Sequence, residues 1–503
     1  MSLIRSSLLV GFGAAASRVL GFARDVLFAQ ALGAGPVADA FLAAFRLPHL
    51  VRRIVGEGGL NPALVPALSR LAPDEAAQVS GDVMTAFAIA LLGLTALVEI
   101  GAGLLAFLLA PGLRDDGTLA LVALYTRLGF PMVLGVTLSS VAAALLNLRG
   151  HYRATALAPL VVNAGLIVTA VTLEAGTALP LADKAAWLAV ASSLSGLLQF
   201  AIVAAALFGK KNVVFRRLRW SPFLKGLLLA GFPALLASGA VQLFILTGTQ
   251  IASFWPSGVS WLYYADRVMQ LPLGLMGALA AGVLLPDLAL KHRDAAAEPL
   301  VAAQNRALEL ALLMGVPAAA ALVVLAGPVA SVLFERGAFT EADADGTARV
   351  LAALSLGLPF ATAAKVLSQT LFARGSLRGT LVAALAGIAA TAVGAPILGA
   401  VMGVTGIALG IGLGCIAHLA VMVWFLSRLG LWRPGAALPR RLARIAAATA
   451  VMAAGLLAGR GLLAPSAPAL AGLCLGGLAL YGLAVLVTGA VTRDDVALLA
   501  KKA

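Results

Sequence analysis

Uninterrupted apolar runs of roughly 20 residues or more recur along almost the whole chain, and no other feature limits the possible folds so sharply. A hydrocarbon core is about 30 Å thick, and a helix of about 20 residues crosses it. The runs are too long, and too rich in Leu, Ala and Gly, for outer-membrane strands. Helices are therefore the expected spanning elements, because each satisfies its own backbone groups where water is absent. Only 12% of the 503 residues are charged, which leaves too little polar surface for a soluble domain. The sequence therefore reads as an all-α, polytopic membrane protein.

Fourteen spans are expected, at residues 5–32, 36–70, 78–111, 119–147, 152–174, 184–208, 222–254, 259–290, 299–333, 342–373, 377–399, 402–428, 440–462 and 468–490. Pro48, Pro131, Pro233, Pro272, Pro317 and Pro359 fall inside these spans and are candidate kinks. The N-terminal stretch with Arg5 and Ala14-Ala15-Ala16 has the look of a signal peptide, but its helical pattern continues to Leu32. It is read as the first span. Cys415 and Cys474 lie in apolar runs without metal-ligand or disulfide spacing, and are expected to serve as small packing residues.

Lysine and arginine orient the chain. With the N-terminus in the cytoplasm, 22 of the 36 basic residues fall at cytoplasmic ends and 4 at opposite ends. That bias supports this orientation, an even span count and a cytoplasmic C-terminus. It also accounts for the net charge of +14 without a nucleic-acid partner. Ten basic residues remain inside spans.

The basic stretch between residues 209 and 225 divides the first twelve spans into two sets of six. Arg149-Gly150-His151-Tyr152-Arg153 and Arg374-Gly375-Ser376-Leu377-Arg378 are offset by 225 residues, Asp39 and Asp266 by 227, and Pro48 and Pro272 by 224. A nearly constant offset indicates a parallel internal repeat, an arrangement that places a substrate site between its halves. The expected division is an N-lobe at 1–208, a cytoplasmic linker at 209–221, a C-lobe at 222–430, and a further pair of helices with the tail at 431–503.

The in-span charges point to chemistry. Arg18, Arg24 and Asp25 fall in the first span, Asp39, Arg46, Arg52 and Arg53 in the second, Asp266 and Arg267 in the eighth, and Lys365 in the tenth. Each mid-membrane arginine facing lipid costs about 2.5–3.5 kcal/mol. Water, a carboxylate or a substrate must compensate. Ser17 and Arg24 share one helix face, as do Arg18 and Asp25, while Asp39, Arg46 and Arg53 recur every seven residues. Two readings stand: a wet cationic cavity, or snorkelling to the interface, the latter favoured for Arg46 and Arg53. Structural ion pairing is the alternative for Asp25, Asp39 and Asp266. Arg127, Arg306 and Arg349 lie nearer span ends and read as anchors. Guanidinium groups match phosphate oxygens well, so a cavity with several of them suits a phosphorylated or pyrophosphorylated lipid head group.

Specific stretches carry a resemblance. Ser17–Asp25, Gly33-Ala34-Gly35-Pro36 with Ala38-Asp39-Ala40-Phe41, and Phe45-Arg46-Leu47-Pro48 with Arg52-Arg53 resemble the opening of the MurJ (MviN) family. The stretch from Ser260 to Pro272 and Phe334-Glu335-Arg336-Gly337-Ala338-Phe339-Thr340 resemble its second half. The resemblance implies a lipid II flippase of the multidrug/oligosaccharidyl-lipid/polysaccharide exporter superfamily. It implies two six-helix lobes forming a V-shaped bundle around a cationic cavity, with helices 13 and 14 forming a groove for the polyprenyl tail. By resemblance, Arg18, Arg24, Arg52 and Arg267 bind substrate and Asp25 and Asp39 are their acidic partners; Asp266 and Glu57 are further expected gating or ion-pair partners. It further implies peptidoglycan biosynthesis at the bacterial inner membrane, lipid II and membrane lipids as partners, and a monomer associated with the cell-wall machinery.

This chain departs from the family pattern at Gly59-Leu60-Asn61-Pro62, after Glu57-Gly58, which bears on gating contacts there. No Asp or Glu occurs from 376 to 430, so a carboxylate-based sodium site in that lobe is not expected. No cofactor is implied, and the membrane potential is the expected driving force. Two rivals remain: an exporter of another polyprenyl-pyrophosphate-linked oligosaccharide, and a membrane glycosyltransferase. The second would require a sizeable acidic extracytoplasmic loop. The most acidic loop, Arg114-Asp115-Asp116-Gly117, is short.

Overall fold

The computed structural model describes residues 3–52, 68, 73–114, 117–148, 150–176, 179–208, 225, 243–291, 297–373, 377–462 and 466–491. Its longer elements are all helices: α1 (Leu3–Leu32), α2 (Pro36–Arg52), α3 (Pro73–Leu109), α4 (Thr118–Gly129), α5 (Met132–Leu148), α6 (Arg153–Gly176) and α7 (Leu181–Phe208). A short helix α8 (Leu243–Ala252) follows. Then come α9 (Gly258–Lys291), α10 (Ala297–Val324), α11 (Ala326–Phe334), α12 (Glu341–Ser355), α13 (Leu358–Ala373), α14 (Leu377–Met402), α15 (Val404–Arg428), α16 (Leu438–Leu462) and α17 (Ala467–Thr488).

Nine spans among the described residues are long and apolar enough to cross a membrane, or ten if the bent α12–α13 pair counts as one. The expected boundaries meet these helices within a few residues where residues are described. The stretch expected at 222–254 is described mainly as α8, and much of 53–70 lies outside the described residues.

Prolines act as expected at two positions. Pro131 sits in the break between α4 and α5, and Pro359 follows a 45° bend between α12 and α13. A proline has no N–H for the carbonyl four residues earlier. Pro317 lies inside α10, so the Leu313 carbonyl loses its helical donor; the Tyr481 hydroxyl of α17 donates to it at 2.6 Å. At the end of α10, Arg460 Nη1 of α16 donates to the Val324 carbonyl at 2.9 Å. In a bilayer no water can do these jobs. The pair α16–α17 thus supplies donors to two backbone carbonyls of α10.

Packing divides the chain into two compact units. One comprises Met1–Ser260 with Arg336–Thr340, and the other Trp261–Glu335 with Glu341–Ala503. In the first unit α1 packs along α6, α2 along α4, and α7 along α5. Its core includes Phe130, Val133, Leu91 and Leu138, with a second cluster around Val141, Leu145 and Val203. The turn at Arg336–Thr340 docks here on the α1–α2 corner, where the Ala338 N–H donates to the Gln30 carbonyl at 2.8 Å. Both sides meet through glycines with left-handed φ, Gly33 at 66° and Gly337 at 60°. A Cβ on Gly33 would stand 2.4 Å from the Ala338 oxygen, and one on Gly337 2.5 Å from the Gln30 oxygen.

In the second unit the closest helix pair is α14–α15. Gly406, Gly410 and Gly414 form a stripe at every fourth residue of α15. A Cβ on Gly410 would lie 2.4 Å from the Ala395 Cα, and one on Gly414 2.1 Å from the Thr391 hydroxyl. Such small-residue stripes let backbones approach where lipid offers no hydrophobic drive for association. Glu309 of α10 and Arg441 of α16 form an ion pair at 2.6 Å, both nearly buried. One turn away, Asn305 accepts from Trp432 Nε1 at 2.9 Å and donates to the Arg433 carbonyl at 3.0 Å. Cys415 is buried, as expected of a packing residue, whereas Cys474 departs from that expectation and is exposed on α17.

Candidate functional site: a buried arginine cluster

Arg24 lies deep in α1, a helix sustained by alanines, leucines and valines on either side of it. Its side chain is 5% exposed, so it needs partners in place of water. Nε and Nη2 donate to Asp25 Oδ1 at 3.0 and 2.7 Å, and Nη1 donates to Asn163 Oδ1 of α6 at 2.9 Å. The guanidinium carbon lies 5.5 Å from the Phe28 ring centre and 5.4 Å from that of Phe45, within cation–π range. Phe28, Phe41 and Phe45 themselves form a packed aromatic cluster, which fixes α1 against α2.

Asn163 also donates to the Ser17 carbonyl at 3.0 Å and to its hydroxyl at 3.3 Å. Ser17 and Arg24, seven residues apart on α1, thus meet one residue of α6. Asn163 was not singled out in the sequence. A lone carboxamide in the apolar run Leu160-Val161-Val162-Asn163-Ala164 was the available signal.

Asp39, in the first turn of α2, is buried at 1% exposure. Its Oδ1 accepts from the Ser260 N–H at 2.8 Å and from the Ser260 hydroxyl. Ser260 is the third residue of α9, so its N–H belongs to the helix's first turn, which has no intrahelical acceptor. A carboxylate there also meets the positive end of the helix dipole. Asp39 therefore supports the start of α9, a role that the spacing of in-span charges did not suggest.

Arg18 is exposed on the same stretch of α1 as Phe12 and Val19. Arg52, the last residue of α2, is half-buried. Arg46 is half-buried too, and its Nη1 donates to the Ile245 carbonyl of α8 at 3.2 Å. Arg127, expected as an end anchor, sits ten residues into the Thr118–Leu148 span and donates to the Glu99 carbonyl at 3.2 Å. Glu57, Arg53 and the stretch 59–62 lie outside the described residues.

In the second unit, Asp266 is buried and accepts from Gln270 Nε2 at 2.6 Å, one turn further along α9. Arg267 is half-buried, with its guanidinium 4.6 Å from the Tyr263 ring centre. Lys365 is exposed on α13.

Comparisons with known proteins agree with one another. A family model described as lipid II flippase MurJ matches residues 28–466. Arg18, Arg24 and Asp25 precede that match. A protein of Rhizobium meliloti (strain 1021) described as a probable lipid II flippase MurJ is 36% identical over 466 residues, covering 91% of this chain and 86% of its own. The lipid II flippase MurJ of Burkholderia cenocepacia is 31% identical over 468 residues, covering 90% and 89%. Among solved structures, a lipid II flippase MurJ in an inward closed conformation superposes with a TM-score of 0.79 at 21% identity, covering 97% of this chain and 99% of that one. An inward-facing multidrug resistance MATE family transporter of the MOP superfamily gives 0.68 at 19% identity, covering 82% and 94%. The likeness to these structures is one of fold.

Proposed function

The chain belongs to the lipid II flippase MurJ family, and we propose that it moves lipid II from the inner to the outer leaflet of a bacterial cytoplasmic membrane. It is a transporter rather than an enzyme, and its product is the same molecule on the other side. In this reading the chain crosses the membrane fourteen times with both termini in the cytoplasm. Its lobes run over 1–208 and 222–430, joined by the linker at 209–221, and 431–503 adds the helix pair that holds the lipid tail. It acts as a monomer alongside the cell-wall machinery.

The observation that carries the substrate reading is the state of Arg24. It is a cation deep in an apolar helix, neutralised by one adjacent carboxylate oxygen. A pyrophosphate brings oxygen acceptors and negative charge, so it can take the place of Asp25 on the same edge of the guanidinium. Arg18, Arg52 and Arg267 supply further positive charge, while Asp25, Asp39, Asp266 and Glu57 act as gating or ion-pair partners. Without cargo the site stays charge-compensated; with cargo the lobes alternate about it.

The membrane potential supplies the direction. Moving one negative charge outward through an inside-negative potential gains about 2.3 kcal/mol per 100 mV. A pyrophosphate diester carries about two such charges, so the gain is roughly 4–5 kcal/mol, a bias of more than about a thousandfold. No carboxylate-bound sodium ion is needed. The test is translocation of lipid II by the purified protein in vesicles, with and without an imposed potential. Net transfer above that of empty vesicles, lost when the potential is collapsed, is expected. No transfer refutes the flippase reading, and potential-independent transfer refutes the driving force.

A further inference from the structure

Asn163 is the eleventh residue of the 24-residue helix α6, so it lies near mid-span. A carboxamide at that depth finds no water and must satisfy both its ends within the protein. It does so asymmetrically. Its NH2 group donates to Ser17, and its oxygen accepts from Arg24. The amide cannot turn over, because a carbonyl only accepts and a guanidinium only donates. Gly21, between Ser17 and Arg24, leaves the space: a Cβ there would already touch Asn163 at 3.6 Å.

The arms of the guanidinium are thereby divided. Nη1 is held by a neutral oxygen, and the Nε–Nη2 edge faces Asp25. That edge is the one that grips an oxyanion with two parallel hydrogen bonds. We propose that Asn163 is a positioning residue for anion capture. It fixes the direction of the Arg24 fork without neutralising it, so that the edge on Asp25 is the part that changes partner when a pyrophosphate head group arrives. A carboxylate in its place would leave two acids around one cation and repel the substrate. An apolar residue would leave Nη1 without its acceptor and let the fork rotate. The inference rests on the reading of Arg24 as an anion ligand.

The experiment uses the full chain in vesicles or nanodiscs, with lipid II affinity and thermal stability measured side by side. The variants are R24Q, N163A, N163D and N163D/D25N. We expect R24Q to lose affinity, N163D to lose at least tenfold and more than N163A, and D25N to restore most of the affinity lost in N163D. The last result follows because the double variant again sets one carboxylate against one guanidinium. A merely structural tie between α1 and α6 would not respond to that exchange of charge. Full affinity in R24Q overturns the Arg24 reading and this assignment with it. A loss in R24Q, with N163A and N163D both at wild-type affinity, overturns the assignment of Asn163 alone. Equal losses in N163A and N163D without recovery in the double variant also overturn it. Should N163D fail to fold, N163A decides: lowered affinity at unchanged melting temperature supports the role, and unchanged affinity refutes it.

Discussion

Removing Asp25 alone should cost more stability than removing it together with Arg24, while transport is lost either way. Asp25 is 2% exposed and its Oδ1 accepts two hydrogen bonds from the guanidinium, at 3.0 and 2.7 Å. Breaking such a buried pair from one side leaves an uncompensated charge and costs about 3–5 kcal/mol. The D25N variant incurs that cost at Arg24. The R24Q/D25N variant buries no charge, and replacing a whole pair ranges from neutral to stabilising by about 1–4 kcal/mol. The double variant should therefore unfold at a higher denaturant concentration than D25N, in SDS titration of mixed micelles. Lipid II translocation in vesicles is the second measurement. If Arg24 grips the anionic head group, the well-folded double variant still fails to transport. Transport by the double variant at the wild-type rate would refute the role of Arg24, leaving the pair as structural cement. Equal destabilisation of D25N and the double variant would refute the energetic coupling instead.

Three further outcomes test the packing. G410A sets a methyl group against the Ala395 backbone, where a Cβ comes within 2.4 Å, and should lower stability by about 1–3 kcal/mol; G412A, whose Cβ meets nothing closer than 3.9 Å, should change it by less than about 0.5 kcal/mol, as read from the two melting curves. E309Q removes the carboxylate that accepts from Arg441 of α16 at 2.6 Å and should destabilise by about 1–3 kcal/mol, with limited proteolysis reporting earlier cleavage around 429–437. Y481F removes the donor to the Leu313 carbonyl, freed by Pro317, and should cost about 1–3 kcal/mol in the same SDS titration.

Much of the helix layout was legible because hydrophobic length is a one-dimensional property. The span expected at 5–32 is the helix Leu3–Leu32, and the one expected at 468–490 is Ala467–Thr488. Breaks were legible only where proline marked them. Pro131 and Pro359 mark their bends, whereas Pro317 stays inside a continuous helix and α10 stops further on, at Val324. What happens at Pro317 depends on a tyrosine 164 residues away, which no local pattern encodes. The site was legible to a similar degree. The seven-residue spacing placed Ser17 and Arg24 on one face, and the structure brings both to Asn163. It could not name Asn163, because one amide in an apolar run has no spacing to read. Nor could it place Asp39 on the first turn of α9, since the partner is a backbone N–H that every residue but proline possesses.

The arginines of these helices look alike in sequence, and their acceptors separate them. Arg46 and Arg460 donate to backbone carbonyls, and Arg441 pairs with Glu309 to tie α16 to α10. An incoming anion cannot stand in for those acceptors, because each of these contacts joins one element to another. Arg24 is different in kind. Its carboxylate partner is the next residue of its own helix, so the Arg24–Asp25 contact itself joins no two elements. Its remaining arm stays on Asn163, and the rings of Phe28 and Phe45 stay against its faces. A cation with a replaceable counter-ion and fixed neutral supports is what reversible capture of an anion requires. That difference, more than depth in the membrane, is why Arg24 rather than Arg46 or Arg441 is the residue to test first.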